Sequence, residues 1–313
     1  MTRVVLLAGG TGGAKLADGF ARVLDPGALT VVVNVGDDFE LWGLQICPDL
    51  DSVTYALGGL TDPERGWGVR DDTWTALGML GRLGAPDWFR IGDADLALHV
   101  RRSALLRSGS SLTDATSAIT AALGIDARVL PATDDRLRTM IQTDTGELDF
   151  QDYFVARRQE PEVRGLRLDG VEAARPTAGV LEALAGADLI VLGPSNPIVS
   201  IGPILAIPGM HDALLASHAA IVAVSPIIGG RALKGPADRM LSSLGHESSA
   251  LGVARLYAGL AGTFVLDERD AAHAPEIEEL GMRAVVMPTV MGEGDGRAAL
   301  ARSLVELGSQ LLG

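Results

Sequence analysis

The chain has 313 residues, 47% hydrophobic and 21% charged, which allows a large buried core and argues against intrinsic disorder. With 26 basic and 40 acidic residues it carries a net charge of −14, which argues against nucleic acid or anionic membrane as partner, since both call for basic patches. Cys47 is the only cysteine, so an internal disulfide and a cysteine-rich zinc site are both excluded. No run approaches the ~20 apolar residues of a membrane span or a signal peptide's h-region, and the expected location is cytoplasmic.

In chain order, the short apolar runs "RVVLLA", "LTVVVNV", "ARVLP", "DLIVLG", "AIVAVS", "TFVLDE" and "RAVVMP" alternate with helical patterns. Several are continuously apolar, as strands buried on both faces of a parallel sheet are. The expected fold is α/β: a three-layer α/β/α core with a mainly parallel, Rossmann-like sheet. One stretch breaks the alternation. From Pro63 to Gly124 no strand pattern occurs, while three segments have helical spacing, the third opening on Ser111 and Asp114 as an acidic N-cap pair. The expected organisation is therefore an α/β core of residues 1–62 and 125–313, with 63–124 as a helical insert packed tightly on the sheet.

The first strand runs into "LLAGGTGGAKLADGF". Gly9, Gly10, Gly12 and Gly13 around Thr11 would bring backbone N–H groups close to an anion at a helix N-terminus, and Lys15 adds a charge. The alternative is a plain strand-to-helix turn. The dinucleotide fingerprint lacks its third glycine, and the P-loop lacks both the glycine before the lysine and the hydroxyl after it. After the second strand, "NVGDDFELWG" and "CPDLDSVTY" supply Asp37, Asp38, Asp49 and Asp51. Taken singly, Asp49 could cap a helix and Asp37 shape a turn. Four carboxylates near a phosphate loop call for a divalent cation, and Mg2+ is inferred. Two later loops, "GPSNPIVSIGPILAIPG" and "SPIIGGRALKGPAD", each begin where a strand ends. They should join the glycine loop in one crevice outside the strand ends. Asn34, Ser195, Asn196, Ser225 and Lys234 complete the candidate binding residues, the last four at a nucleoside end.

Three of the four tryptophans fall in the insert or at its edges, with Arg70 and Arg90 nearby. Each is by default a core residue, but an aromatic and arginine-rich wall also suits a planar ring ligand. His99 reads equally as a buried helix residue. No histidine pair has metal-ligand spacing, and G-x-S-x-G is absent, so zinc catalysis and a serine nucleophile are not expected.

These fragments, together with "RIGDADLALH", "RRSALLRSGSSLTDAT", "ATDD" and "LDFQDYFV", occur in the order in which the 2-phospho-L-lactate transferase family of deazaflavin coenzyme biosynthesis has them. The chain resembles that family from Arg3 to about Asp270. The resemblance implies a magnesium-dependent phosphotransferase that joins a 2-phospho acid, carried as a diphosphate diester with guanosine, to the ribityl hydroxyl of the deazaflavin Fo, releasing GMP. It also implies that the acceptor contacts the second aspartate of "PDLD", here Asp51, and the basic residue before "IGD", here Arg90 where the family often has lysine. On this reading Asp51 and Asp37 are the catalytic residues and the ligands of Mg2+, Gly10, Thr11, Gly12, Gly13 and Lys15 hold phosphate, residues 1–62 and 125–313 form the nucleotide-binding core, and the insert of residues 63–124 covers the acceptor site. A homodimer is the default state at this size. A non-enzymatic alternative is the gluconeogenesis-factor family, which binds a nucleotide sugar and opens similarly, but lacks the "PDLD" aspartate and the "RIGD" basic residue. A nicotinamide oxidoreductase fits poorly without the third glycine.

Overall fold

A computed structural model of the chain describes residues 2–233, 235–292 and 295–312. Its strands, in chain order, are β1 (Val4–Ala8), β2 (Leu29–Val33), a hairpin of β3 (Phe39–Leu41) and β4 (Leu44–Ile46), β5 (Arg128–Pro131), a trio of β6 (Arg138–Thr143), β7 (Gly146–Asp149) and β8 (Val163–Asp169), then β9 (Leu189–Leu192), β10 (Ala220–Val224), a short pair of β11 (Ile227–Ile228) and β12 (Arg231–Ala232), β13 (Thr263–Leu266) and β14 (Arg283–Val286). The seven apolar runs read from the sequence become one seven-stranded, all-parallel sheet of order β14-β13-β10-β9-β1-β2-β5. Every residue of β1, β9 and β13 is buried, because helices cover both faces of the sheet.

The chain starts at the middle of this sheet. It runs outward through β2 to β5 on one side, returns, and then runs outward from β9 to β14 on the other. The reversal between β1 and β9 leaves a crevice at their carboxyl ends, where open α/β sheets bind ligands. The first wall of that crevice is α1 (Gly10–Ala21), and the helix beside it is α2 (Pro48–Leu57). A final helix, Gly296–Leu312, lies along α1, with Gly19 against the backbone of Arg297 and the Arg297 guanidinium 2.8 Å from Asp18.

Between residues 63 and 124 come only helices and loops: α3 (Thr75–Arg82), α4 (Asp93–Arg107) and α5 (Leu112–Ala122), with a single isolated bridge joining Thr61 to Val69. Ser111 caps α5 by accepting the Asp114 amide at 3.0 Å, the N-cap pair expected from the sequence. The β3–β4 hairpin packs against this region through a small core of Phe39, Leu41, Ile46 and Ile91. Its two-residue turn, Trp42–Gly43, has positive φ at both positions (54° and 72°), which matches the twist of the strands it joins. Trp42 is anchored there by a 2.9 Å bond from its indole N–H to the Pro86 carbonyl.

A second, three-stranded antiparallel sheet of order β7-β6-β8 was not legible as strands in the sequence. It closes a small core of Ile141, Phe150, Tyr153, Val163, Val199 and Met240 against the loop that follows β9. Among the described residues no helix is long and apolar enough to cross a membrane.

Candidate active site

The glycine loop and the loop after β9 are pressed together across the crevice. Gly10 has φ +59°, a left-handed conformation that lets the chain turn from β1 into α1. A Cβ at Gly12 would collide with the Pro194 carbonyl oxygen, and one at Gly13 would lie 2.7 Å from Ser195 Oγ. Two of these glycines thus serve close packing of α1 on the opposite loop. Two of the loop's amides already have acceptors: Gly9 donates to Ser195 Oγ at 3.1 Å, and Gly10 donates to Asp49 Oδ1 at 2.6 Å. The Thr11 and Gly12 amides come next in the first turn of α1, and both residues line the cavity that opens above it.

That cavity has a volume of about 450 Å3. Gly9 to Gly12 and Lys15 form one side, and Ser195, Asn196 and Ser225 form another. Asp37 and Asp49 also line it. The three loops expected to converge from the sequence do meet here. Asn196 fixes its own loop by accepting the amides of Ile198 and Val199 at 2.9 and 3.4 Å. Ser225 does the same by bonding both backbone groups of Ile227. Lys234 lies outside the described residues.

A second cavity of about 560 Å3 adjoins the first at the first turn of α1, lined in part by Ser52, Tyr55, Arg70 and Arg297. Thr11, Lys15, Gly66, Trp67 and Met291 line both cavities. The insert contributes to these two walls only through residues 63–70; its helices α3 to α5, expected to cover the acceptor, supply no lining residue to either.

The four aspartates part company. Asn34 is not on the cavity wall; it donates to Asp49 Oδ2 at 2.9 Å and to the Val199 carbonyl at 3.1 Å, and so orients Asp49. Burial pushes the Asp49 carboxyl up to about 6, against the lowering effect of the Asn34 and Gly10 bonds. Asp37 is 6% exposed, and its Oδ1 has no hydrogen-bond partner among the described residues. Burial, then the charges of Asp49 and Asp38, raise its pKa well above the ordinary carboxylate range. Asp38, also buried, is raised to about 7, chiefly by burial.

Asp51 stands apart. Its carboxylate is gripped by the buried guanidinium of Arg102, which comes from α4, and His99 Nδ1 lies 3.6 Å away. The cluster continues through His99 Nε2, 3.0 Å from Asp95, to Tyr55, whose hydroxyl donates to Asp95 at 2.5 Å. The expected Asp37–Asp51 pair is therefore not gathered on one wall: Asp37 shares the cavity with Asp49, while Asp51 pins α2 to α4. Arg90, too, lines neither cavity; its guanidinium lies 4.8 Å from the centre of the Trp74 ring.

Residues 4–285 match the family described as 2-phospho-L-lactate transferase CofD. The chain belongs to this family. A relative named phosphoenolpyruvate transferase, from Streptomyces griseus, is 41% identical over 315 residues, covering 99% of each chain. A 2-phospho-L-lactate transferase of Methanosarcina barkeri is 42% identical over 304 residues, covering 97% of this chain and 98% of its own. Among solved structures, a Bacillus halodurans protein of the UPF0052 family superposes with a TM-score of 0.67 at 17% identity over 97% of this chain and 98% of its own, a likeness of fold alone.

For a CofD family member the magnesium question can be put to the side chains. Among the described residues no group of three or more His, Cys, Asp or Glu is arranged to hold a metal. Mg2+, however, is commonly held by one or two carboxylates together with substrate phosphates and water. Asp37 and Asp49 on the cavity wall, with an orphaned Asp37 oxygen, fit that description. Two lining residues of this CofD site escaped sequence reading: Phe150 and Phe154, stacked at 5.5 Å between centroids. The motif "LDFQDYFV" was visible, but nothing local said that the antiparallel sheet would carry it to the cavity.

Proposed function

We propose that this chain transfers a 2-phospho-acid group, phospholactyl or phosphoenolpyruvyl, from a diphosphate diester of guanosine to the ribityl hydroxyl of the deazaflavin Fo. The hydroxyl oxygen forms a bond to the phosphorus that carries the acid. The bond from that phosphorus to the bridging oxygen breaks, its electron pair goes to the oxygen, and GMP leaves. The acceptor's proton passes to solvent or to the departing phosphate. Bound Mg2+, held by Asp37 and Asp49, would supply charge neutralisation at the two phosphates. The observation that carries the reading is that a member of this family has two cavities that share Thr11 and Lys15 on their walls, which gives two substrates room beside one phosphate position.

The chain's own groups then divide the work. The Thr11 and Gly12 amides and Lys15 face the diphosphate at the positive end of α1. Ser195, Asn196 and Ser225, rigidly held by local bonds, border the guanosine end. Asp51 acts on the acceptor side by fixing α2 against α4 through Arg102. The same reading takes the enzyme as a cytoplasmic homodimer, on chain size and the single buried cysteine, Cys47.

The test is to incubate the protein with Fo, Mg2+ and each guanosine-linked donor in turn (phospholactyl, phosphoenolpyruvyl and phosphoglyceryl), reading products by mass. The expected result is GMP together with a phosphodiester of Fo and the acid. Tight binding of a nucleotide sugar with no product from any donor would instead favour a binding protein.

A further inference from the structure

The second cavity is a basic pocket on an acidic chain. Lys15, Arg22, Arg70 and Arg297 line it, against only two carboxylates, Asp18 and Asp62. One of those two is already engaged, because Asp62 holds Arg65 at 2.6 Å. The whole chain carries a net charge of −14, so this local excess of cations runs against the protein's average. Separate segments bring the cations together. Lys15, Asp18 and Arg22 follow one another on one face of α1, Arg70 comes from the loop before α3, and Arg297 comes from the first turn of the final helix.

The guanidinium groups are held in place. The buried Asp18 takes Arg22 at 2.9 Å and Arg297 at 2.8 Å, and Arg70 donates to the Gly59 carbonyl at 2.8 Å. One carboxylate between two guanidinium groups leaves that trio positive. Asp295, whose charge also reaches Arg22, is itself paired with Arg302 at 2.9 Å and is not on the wall. A guanidinium has five N–H donors in a fixed fork, and a carboxylate engages at most a pair of them, so these forks keep donors for a further oxyanion. At about 560 Å3 the cavity has room for a small polyanion.

We infer that the second cavity binds a small multivalent oxyanion of the phosphate class, separate from the phosphate position at the Thr11 and Gly12 amides, and that Arg22, Arg70 and Arg297 are its contacts. Thr11 and Lys15 belong to both walls, so this anion lies beside the donor's phosphates. Two anions flanking Lys15 repel each other, which makes the second site a brake on nucleotide binding and no part of the reaction. The brake rests on the transferase reading above; the site itself does not.

The experiment titrates pyrophosphate by calorimetry, at fixed ionic strength and without divalent cations, into the full-length wild type saturated with GMP, into Arg22→Gln/Arg70→Gln and into Arg22→Lys/Arg70→Lys. One equivalent of pyrophosphate should bind beside GMP. With increasing pyrophosphate the Kd for GMP should rise a few-fold and then level off, as two sites coupled by repulsion require. The glutamine pair should weaken pyrophosphate binding by about tenfold or more, through loss of two charge-assisted contacts, with GMP affinity in the absence of pyrophosphate unchanged. The lysine pair should keep most of the affinity. A Kd for GMP that climbs in proportion to pyrophosphate would overturn the proposal, since the anion then merely displaces nucleotide from the first cavity. Wild-type pyrophosphate affinity in the glutamine pair would overturn it as well. Pyrophosphate binding that is lost in the glutamine pair, in a wild type that binds no GMP, would leave the anion site standing and count against the transferase reading alone.

Discussion

Asp51 and Arg102 form a buried ion pair, so neither can be changed without exposing the other's charge to a dry interior. Arg102→Met and Asp51→Asn should each lower stability by roughly 3–5 kcal/mol, and the double variant should recover part of that loss. Urea titrations of the three proteins check it. Asp37 behaves differently, since it lines the cavity while its buried Oδ1 has no hydrogen-bond partner among the described residues. Asp37→Asn removes like-charge repulsion, so the protein should be as stable as the wild type or more so. Its kcat should fall by about two orders of magnitude or more, partly restored by excess Mg2+. Wild-type turnover would take Asp37 out of the mechanism. At this scale the residue types were legible in the sequence and their pairing was not. Four aspartates on two loops announced a polar site, but whether Asp49 or Asp51 faces the cavity depends on Arg102, which arrives from a helix about fifty positions further along the chain.

At the scale of elements, glycines separate into those that fit and those that are merely tolerated. Gly12→Ala drives a methyl group into the Pro194 backbone, which cannot swing aside, and should cost roughly 1–3 kcal/mol along with most activity. Gly78 in α3 has nothing within 4 Å of its missing Cβ and no positive φ, so Gly78→Ala should stabilise by about 0.5–1 kcal/mol with activity unchanged. Thermal melts and turnover for the pair test both. The parallel strands were readable because burial on two faces leaves mostly Val, Leu, Ile and Ala in them. The trio β6, β7 and β8 was not: it is half-exposed, carries charges such as Arg138, Glu147 and Arg167, and has no continuous apolar run. The β3–β4 hairpin was hidden by its turn, where Trp42 occupies a left-handed position that usually announces itself with Asn or Gly.

For the whole molecule, three buried carboxyls set the response to pH. Asp49 and Asp38 are raised from 3.8 to about 6 and about 7, and Asp37 is raised well above the ordinary carboxylate range, each chiefly by burial. Over that range the folded chain keeps protons that the unfolded chain has released. Stability should therefore fall as pH rises from about 4 to about 7, by a few kcal/mol in all, and stay low above that. The depressed carboxyls, such as Asp93 at about 2, act only at lower pH. Urea midpoints at pH 5 and pH 7.5 without divalent cations measure the slope, and Asp38→Asn should flatten it. A midpoint that rises with pH would refute the account.

The placement of β1 at the sheet centre also bears on how the chain is made. Its second neighbour, β9, begins at Leu189, so a growing chain exposes the open edge of β1 while it adds some 180 residues. At ordinary elongation rates that interval is on the order of ten to forty seconds. During it, five consecutive buried-type residues offer unpaired backbone groups to any passing strand. A ribosome-released fragment of residues 1–187 should therefore sediment with aggregates or remain bound to chaperones, whereas the full chain, in which β9 to β14 complete the sheet, should stay dispersed. Late closure of the sheet makes the ribosome's pace, and the chaperones that meet the nascent chain, part of what determines the yield of this protein.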